Sequence, residues 1–368
     1  PPRSTLFPYT TLFRSCNSVI EPDGTISAVT DLARRREVLL PGAGGARLRA
    51  FEDVPNAFDA WDIERHHLNP GNELPVPGAE SVEIVAARGL RAEVRITRVL
   101  GGSRLVQTIF LDADAPRLDF VLDADWRERE TLLKASFPLA VRAREHAAEV
   151  QFGHVRRPVH ENTSWDYSRF EVPAGRWLLV DEPGYGIAVV NDSNHGHSVT
   201  PLRTGASGHG GIGTRVSLSL MRAPVFPDPR ADRSQRTVRF SLLLDADPET
   251  ATRAGEELNL PPRLVEAPAT GLATLDVPGA HVAAVLPAED GSGDVIMRIH
   301  EGAGKPTSGL LHLAFDATRV WEVDPLEEDL TAELWRPRVD VTATREVPIA
   351  LTAFTILTLR ITPAGGES

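Results

Sequence analysis

The residues best suited to chemistry fall in one stretch, 149–172, EVQFGHVRRPVHENTSWDYSRFEV. It holds His154 and His160, Arg156, Arg157 and Arg169, Trp165 and Tyr167, and the carboxylates Glu161 and Asp166. Aromatic rings beside carboxylates and fixed donors suit a sugar. A sugar offers apolar C–H faces for stacking and hydroxyls for hydrogen bonding. The plainer expectation for the same residues is an ordered loop across β-structure, with Trp165 plugging the core and the charges satisfying one another.

Other groups are weighed in the same way. His66–His67, His195, His197 and His209 are the metal-ligand candidates. Adjacent histidines on a strand would point to opposite faces. His195 and His197 could share a face, but they sit in a Gly/Ser-rich segment with Asp192 as their one nearby carboxylate. Solvated loop histidines are therefore expected there rather than a zinc site. Asn191 and Asp192 close a predicted strand, where a loop can face a neighbouring domain. Arg222 follows the apolar run Val216, Leu218, Leu220. Trp61, between Asp59 and Asp62, lies three residues after Phe58, a spacing that looks like packing and is read as a domain-interface anchor ahead of a stacking platform. The Asn162-Thr163-Ser164 sequon is read as coincidence, and no glycine-rich tract has the lysine and context of a phosphate-binding loop.

The elements that must position these groups are strands. Ala92, Val94 and Ile96 alternate with Glu93, Arg95 and Thr97, the period of a half-buried strand. Further strands are predicted at 105–111, 118–122, 132–137, 177–180, 187–191, 215–221 and 237–244, divided by Asp, Pro and Gly. DPETATRAGEELN (247–259) reads as a short helix and 259–271 as a proline-rich linker. Beyond it, Val295, Met297 and Ile299, and later Leu357, Leu359 and Ile361, mark a second β-rich block. With 29 Gly and 29 Pro and little helical period, antiparallel sandwiches are the expected class. The glycine cluster at 205–213 reads as a flexible hairpin tip.

Composition narrows the classes. The chain has 368 residues, enough for two or three domains, and a net charge of −12, which disfavours nucleic acid and anionic membranes. No apolar run is long enough to cross a bilayer. Of 39 basic residues only Lys134 and Lys305 are lysines, a coding bias of GC-rich bacterial genomes. The single cysteine, Cys16, excludes a disulfide framework and a thiolate metal site, and favours a cytoplasmic setting. Residues 1–16 resemble a translated sequencing-adapter read more than a leader peptide. The chain is accordingly expected to be a fragment of a longer protein.

Seven segments in order carry a family resemblance. They are FEDVPNAFDAWDIE (51–64), RLDFVLDADWRERETLLKASFP (117–138), the 149–172 stretch, GYGIAVVNDSNHG (184–196), RVSLSLMRAPVFPDPRAD (215–232), WEVDPLEEDL (321–330) and PIALTAFTILTLRI (348–361). Together they resemble the C-terminal β-rich region of the glycoside hydrolase family 38 α-mannosidases. The resemblance implies an all-β fold: a galactose-mutarotase-like supersandwich over 17–262, then a smaller β-sandwich over 263–368. It implies a retaining mechanism with an aspartate nucleophile and a zinc ion held by His and Asp. Those motifs belong to an N-terminal α/β domain, and nothing in this chain resembles them. No catalytic residue, metal ligand or cofactor is expected here. The implied partners are α-mannoside oligosaccharides, the protein's own catalytic domain and possible further copies of the chain. Residues expected to face the cleft are His154, Arg157, Trp165, Asp166, Asp192 and Arg222. The alternatives are a stand-alone carbohydrate-binding module, or an aldose epimerase using His154, His160 and Glu161.

Overall fold

The computed structural model describes residues 15–86, 89–205, 211–264, 266, 271–330, 336 and 338–365. The His209 candidate and most of the 205–213 hairpin tip lie outside them. Strand accounts for 54% of the structure and helix for 6%, so the all-β expectation holds. The chain divides into two compact units. One comprises Pro1–Glu149 with Val155–Pro261, the other Val150–His154 with Pro262–Ser368.

The first unit is built on two large antiparallel sheets. The nine-stranded sheet runs from Gly153–Pro158 at one edge, through Glu145–Val150, Trp177–Glu182, Tyr185–Asn191, Gln235–Leu244, Arg117–Asp125, Ser103–Asp112 and Arg91–Leu100, to Ser81–Ala86. The six-stranded sheet is ordered Val172–Pro173, Gly196–Arg203, Ile212–Met221, Thr131–Leu139, Arg47–Glu52, Glu73–Leu74. A three-stranded sheet opens the unit at Cys16–Ile20. Cys16, placed in the leader by the sequence reading, is fully buried there.

Alternation explains how the two large sheets face one another. Phe120 and Phe240 are opposite in register and stack with ring centroids 4.9 Å apart. Phe137, from the other sheet, meets Phe120 edge-on at 5.8 Å. Such aromatic contacts add to the apolar burial that holds the layers together. The Arg91–Leu100 and Ser103–Asp112 strands join through a tight turn at Gly101, whose φ of +57° is left-handed. A Cβ there would also collide with the Glu128 carboxylate.

The Tyr185–Asn191 strand is buried at every position, because its second face is covered by the helix Pro248–Asn259. That helix starts where the sequence predicts. Asp247 caps it, Thr250 completes the capping box, and proline occupies the first turn. Its Thr252 hydroxyl accepts from the buried Trp177 indole at 3.1 Å.

The second unit has its own core of Met297, Ile299, Val320, Leu357, Leu359 and Ile361 among others. Its sheet is ordered Ala273–Asp276, Thr307–Val323, Ile356–Pro363, Val295–Glu301, Ala280–Pro287, with Asp340–Leu351 paired to Thr307–Val323.

Candidate functional site

A pocket of about 420 Å³ opens in the first unit. Glu171, His195, Ser219, Arg222, Asp232 and Arg236 are among its lining residues. Its floor follows from an oddity in the sequence. The Thr131–Leu139 strand, TLLKASFPL, is buried throughout, yet carries Lys134. A buried ammonium needs a counter-charge. Glu171 supplies it, 2.5 Å away, and Ser198 accepts a second bond from the ammonium at 2.9 Å. The Ser219 hydroxyl donates to the other Glu171 oxygen. Glu171 thus faces the pocket with its geometry fixed from two sides.

The wall at residues 193–196 is pinned by amides. Asn194 donates its side-chain NH₂ to the carbonyls of Ser219 (2.8 Å) and Leu220 (3.0 Å), and its backbone N–H to Asn191 Oδ1 (2.8 Å). Asn191 is itself buried and donates to the Gly175 carbonyl at 3.1 Å.

A further part of the lining is held by three aspartates. Arg222 Nε donates to Asp53 at 2.6 Å, and Arg222 Nη2 to the Asp59 carbonyl at 3.2 Å. The Asp59 carboxylate accepts the backbone N–H groups of Val225 and Phe226, both at 2.8 Å. Asp232 accepts the Ala223 N–H at 3.2 Å and pairs with Arg236 at 3.0 Å. Segments 53–59 and 222–236 are therefore one tied structure. Chemically, the pocket offers guanidinium, amide and imidazole donors beside two carboxylate acceptors, a set suited to a polyhydroxylated ligand.

Of the six residues expected to face a cleft, Arg222 lines this pocket. Asp192 sits just before its wall and is not among the lining residues. It accepts from Ser193 Oγ at 2.8 Å and from the Arg239 N–H at 3.3 Å. His154 belongs to the second unit, with its Nδ1 3.2 Å from the Gly302 carbonyl and its ring edge-on to Phe354. Arg157 donates to the Pro173 carbonyl at 3.5 Å. Burial lowers its pKa, with Arg169 adding to the effect. Trp165 and Asp166 lie on the one-turn helix Ser164–Tyr167. Asp166 forms a capping box with Thr163, which holds its carboxyl below the usual range, helped by His160 and Arg169. Arg65 ties this turn down through Glu161 (2.7 Å) and the Tyr167 carbonyl (2.9 Å).

Several expectations are corrected here. Trp165 is 76% exposed, not a core plug, because its helix is too short to bury a face. Trp61 is 68% exposed and meets Phe226 edge-on at 6.4 Å, so it does not pack into this chain's own core. Its partner in that reading, Phe58, is exposed too, with φ +56°. His66 and His67 occupy a 3₁₀ turn, Arg65–Leu68, not a strand. His67 is buried against Phe51 and Phe170. His197 lies within the Gly196–Arg203 strand at 0% exposure, and burial pushes its pKa down to about 4. Neither is a solvated loop histidine. Sequence reasoning missed Glu171, Asp53, Asp232 and Arg236. Lys134 in an apolar strand was the readable signal for Glu171.

These residues sit in a recognisable lineage. The glycosyl hydrolases family 38 C-terminal domain matches residues 17–230, and the family's C-terminal beta sandwich domain matches 279–359. The chain is 33% identical over 324 residues to alpha-mannosidase 2C1 of Homo sapiens, covering 84% of this chain and 30% of that protein. Against alpha-mannosidase G of Dictyostelium discoideum it is 30% identical over 334 residues, covering 84% and 29%. The chain thus spans less than a third of the length of these two relatives. An α-mannosidase crystal structure from Enterococcus faecalis V583 shares the fold, with a TM-score of 0.71 at 16% identity over 98% of this chain and 42% of that one. The chain belongs to glycosyl hydrolase family 38, of which it carries the C-terminal domain and the C-terminal β-sandwich domain.

Proposed function

We propose that the chain is the non-nucleophilic part of a bacterial α-mannosidase acting on terminal α-mannosides of oligosaccharides. In this reading it works with its own catalytic domain, of the family's α/β type, and lends that domain the pocket built from Glu171, residues 193–196, Arg222, Asp232 and Arg236. One observation carries the reading. The pocket lining combines arginine, amide and imidazole donors with fixed carboxylates, so neighbouring sugar hydroxyls could each find a complementary partner. The exposed Trp61 and Phe226, on the segments that Asp59 ties together, add an apolar surface beside Arg222.

The nucleophile and the retaining chemistry are assigned to the catalytic domain. The family's zinc is assigned there as well. Among the described residues no group of three or more His, Cys, Asp or Glu is placed to hold a metal ion. No helix among the described residues is long and apolar enough to cross a membrane. A cytoplasmic setting and self-association belong to the proposal, the former supported by the lone buried thiol of Cys16.

The test is kinetic, in the protein carrying both parts. Arg236 is half-exposed and its pair with Asp232 is a surface pair, worth roughly 0–1 kcal/mol. Arg236→Ala and His195→Ala should lower kcat/KM for an aryl α-mannoside about tenfold each, the loss of roughly 1.4 kcal/mol of transition-state binding. Melting temperatures should stay within about 2 °C of the parent. Unchanged kcat/KM in both variants would remove the pocket from the reaction.

A further inference from the structure

A second pocket of the first unit, about 460 Å³, is lined by Asp23, Thr25, Arg47, Arg49, Glu73 and Arg98 among others. Its charge runs against that of the molecule. The chain carries −12 overall, while this pocket sets three guanidiniums against two carboxylates. One of those carboxylates is already spent. Glu73 holds Arg49 through two bonds, of 2.8 and 2.7 Å. Arg47 has no ion pair among the described residues.

Arg98 is the odder group. It is 5% exposed, on the Arg91–Leu100 strand, with no carboxylate paired to it among the described residues. Two terminal nitrogens reach the carbonyls of Pro77 (3.5 Å) and Gly24 (3.3 Å), and its Nε has no partner. Burial pulls its pKa down, and Asp23 opposes this from beyond ion-pair distance. A buried guanidinium without a counter-charge is costly, so a site that keeps one is suited to an anion supplied from outside. The backbone is shaped around this group. Gly24 has φ +81°, and a Cβ there would collide with the Arg98 guanidinium. Across the neighbouring sheet, Arg215 is also pulled down, by burial first and then by Arg49 and Arg47, so the positive charges lie close together.

We propose that this pocket binds a phosphomonoester, as inorganic phosphate or as the phosphate of a sugar phosphate. Two guanidiniums, Arg47 and Arg98, lack a paired carboxylate, and a phosphomonoester carries about 1.5 to 2 negative charges at pH 7. Asp23, the one carboxylate left unpaired, offsets one of these charges, so the lining keeps a net positive charge that an anion completes. Planar guanidinium forks match phosphate oxygens two at a time. The volume exceeds what a bare ion needs, and Asp23 and Thr25 offer polar atoms to an attached sugar. This site shares no lining residue with the Glu171–Arg222 pocket, and its test is independent of α-mannosidase activity.

The experiment uses the 368-residue chain in phosphate-free buffer. Thermal unfolding and titration calorimetry are run with inorganic phosphate, with a hexose 6-phosphate, and with sodium chloride at matched ionic strength. A saturable rise in melting temperature is expected with phosphate and not with chloride. Tighter binding of the hexose phosphate would name the sugar phosphate as the source, and equal binding would name the free ion. Arg47→Gln and Arg98→Met should each weaken binding by about tenfold or more. Arg98→Met should also unfold no earlier than the parent without phosphate, because it removes an uncompensated buried charge, whereas a purely structural Arg98 would lower the melting temperature. Arg47 is exposed, so Arg47→Gln carries the test should the other variant fail to fold. Absence of saturable stabilisation, or full phosphate response in Arg47→Gln, would overturn the proposal.

Discussion

Asp53 is 2% exposed, and its carboxylate is met by Arg222 Nε at 2.6 Å. Arg222 is therefore more than a pocket wall. Removing its side chain leaves a buried anion without its cation, which costs roughly 3–5 kcal/mol. Arg222→Ala should lose about that much in urea unfolding, and adding Asp53→Asn should restore most of it. If the two changes simply added, the coupling would be absent. Any activity change in Arg222→Ala therefore mixes stability with chemistry, and Arg236 and His195 are the cleaner probes. At this scale the sequence was partly legible. An arginine closing the apolar run SLSLM marked a strand end, and the structure puts Arg222 in the pocket. Asp53 and Asp59 gave no such sign, because their partners lie more than 160 residues away and only the assembled sheets bring them together.

Elements were more legible than side chains. Each predicted strand from Ala92 to Leu244 appears, usually extended by a few residues, because alternation and Asp, Pro or Gly breaks act locally. The Pro248–Asn259 helix was equally plain from its cap. The 149–172 stretch was not. Its aromatic and charged content suggested a cleft wall or a core plug, and the structure makes it a hairpin, a one-turn helix and a short edge strand. Side chains on a one-turn helix are oriented by its capping box, Thr163 with Asp166, rather than by periodicity, so no pattern foretold the exposure of Trp165. Trp165→Ser should accordingly change stability by less than about 0.5 kcal/mol, as surface substitutions do. A buried tryptophan would cost roughly 3–5 kcal/mol in such a change. Urea unfolding decides between the two, and a loss on the larger scale would contradict the exposed placement.

For the whole molecule, membership of family 38 and the all-β architecture agree with the composition: few helical periods, many Gly and Pro, one cysteine. The relatives are about three times longer than the matched region, and the proposal places the bond-breaking groups in that additional length. The chain's own charged clusters fit this division. Lys134–Glu171, Arg222–Asp53 and Arg236–Asp232 are opposite-charge pairs that hold their segments in place. The most direct measurement is hydrolysis of an aryl α-mannoside by the purified 368-residue chain, with and without added zinc, beside the protein carrying both parts. The account predicts turnover only when the catalytic domain is present. Zinc-independent or zinc-stimulated turnover by the chain alone, abolished by changing one of its own carboxylates, would contradict it.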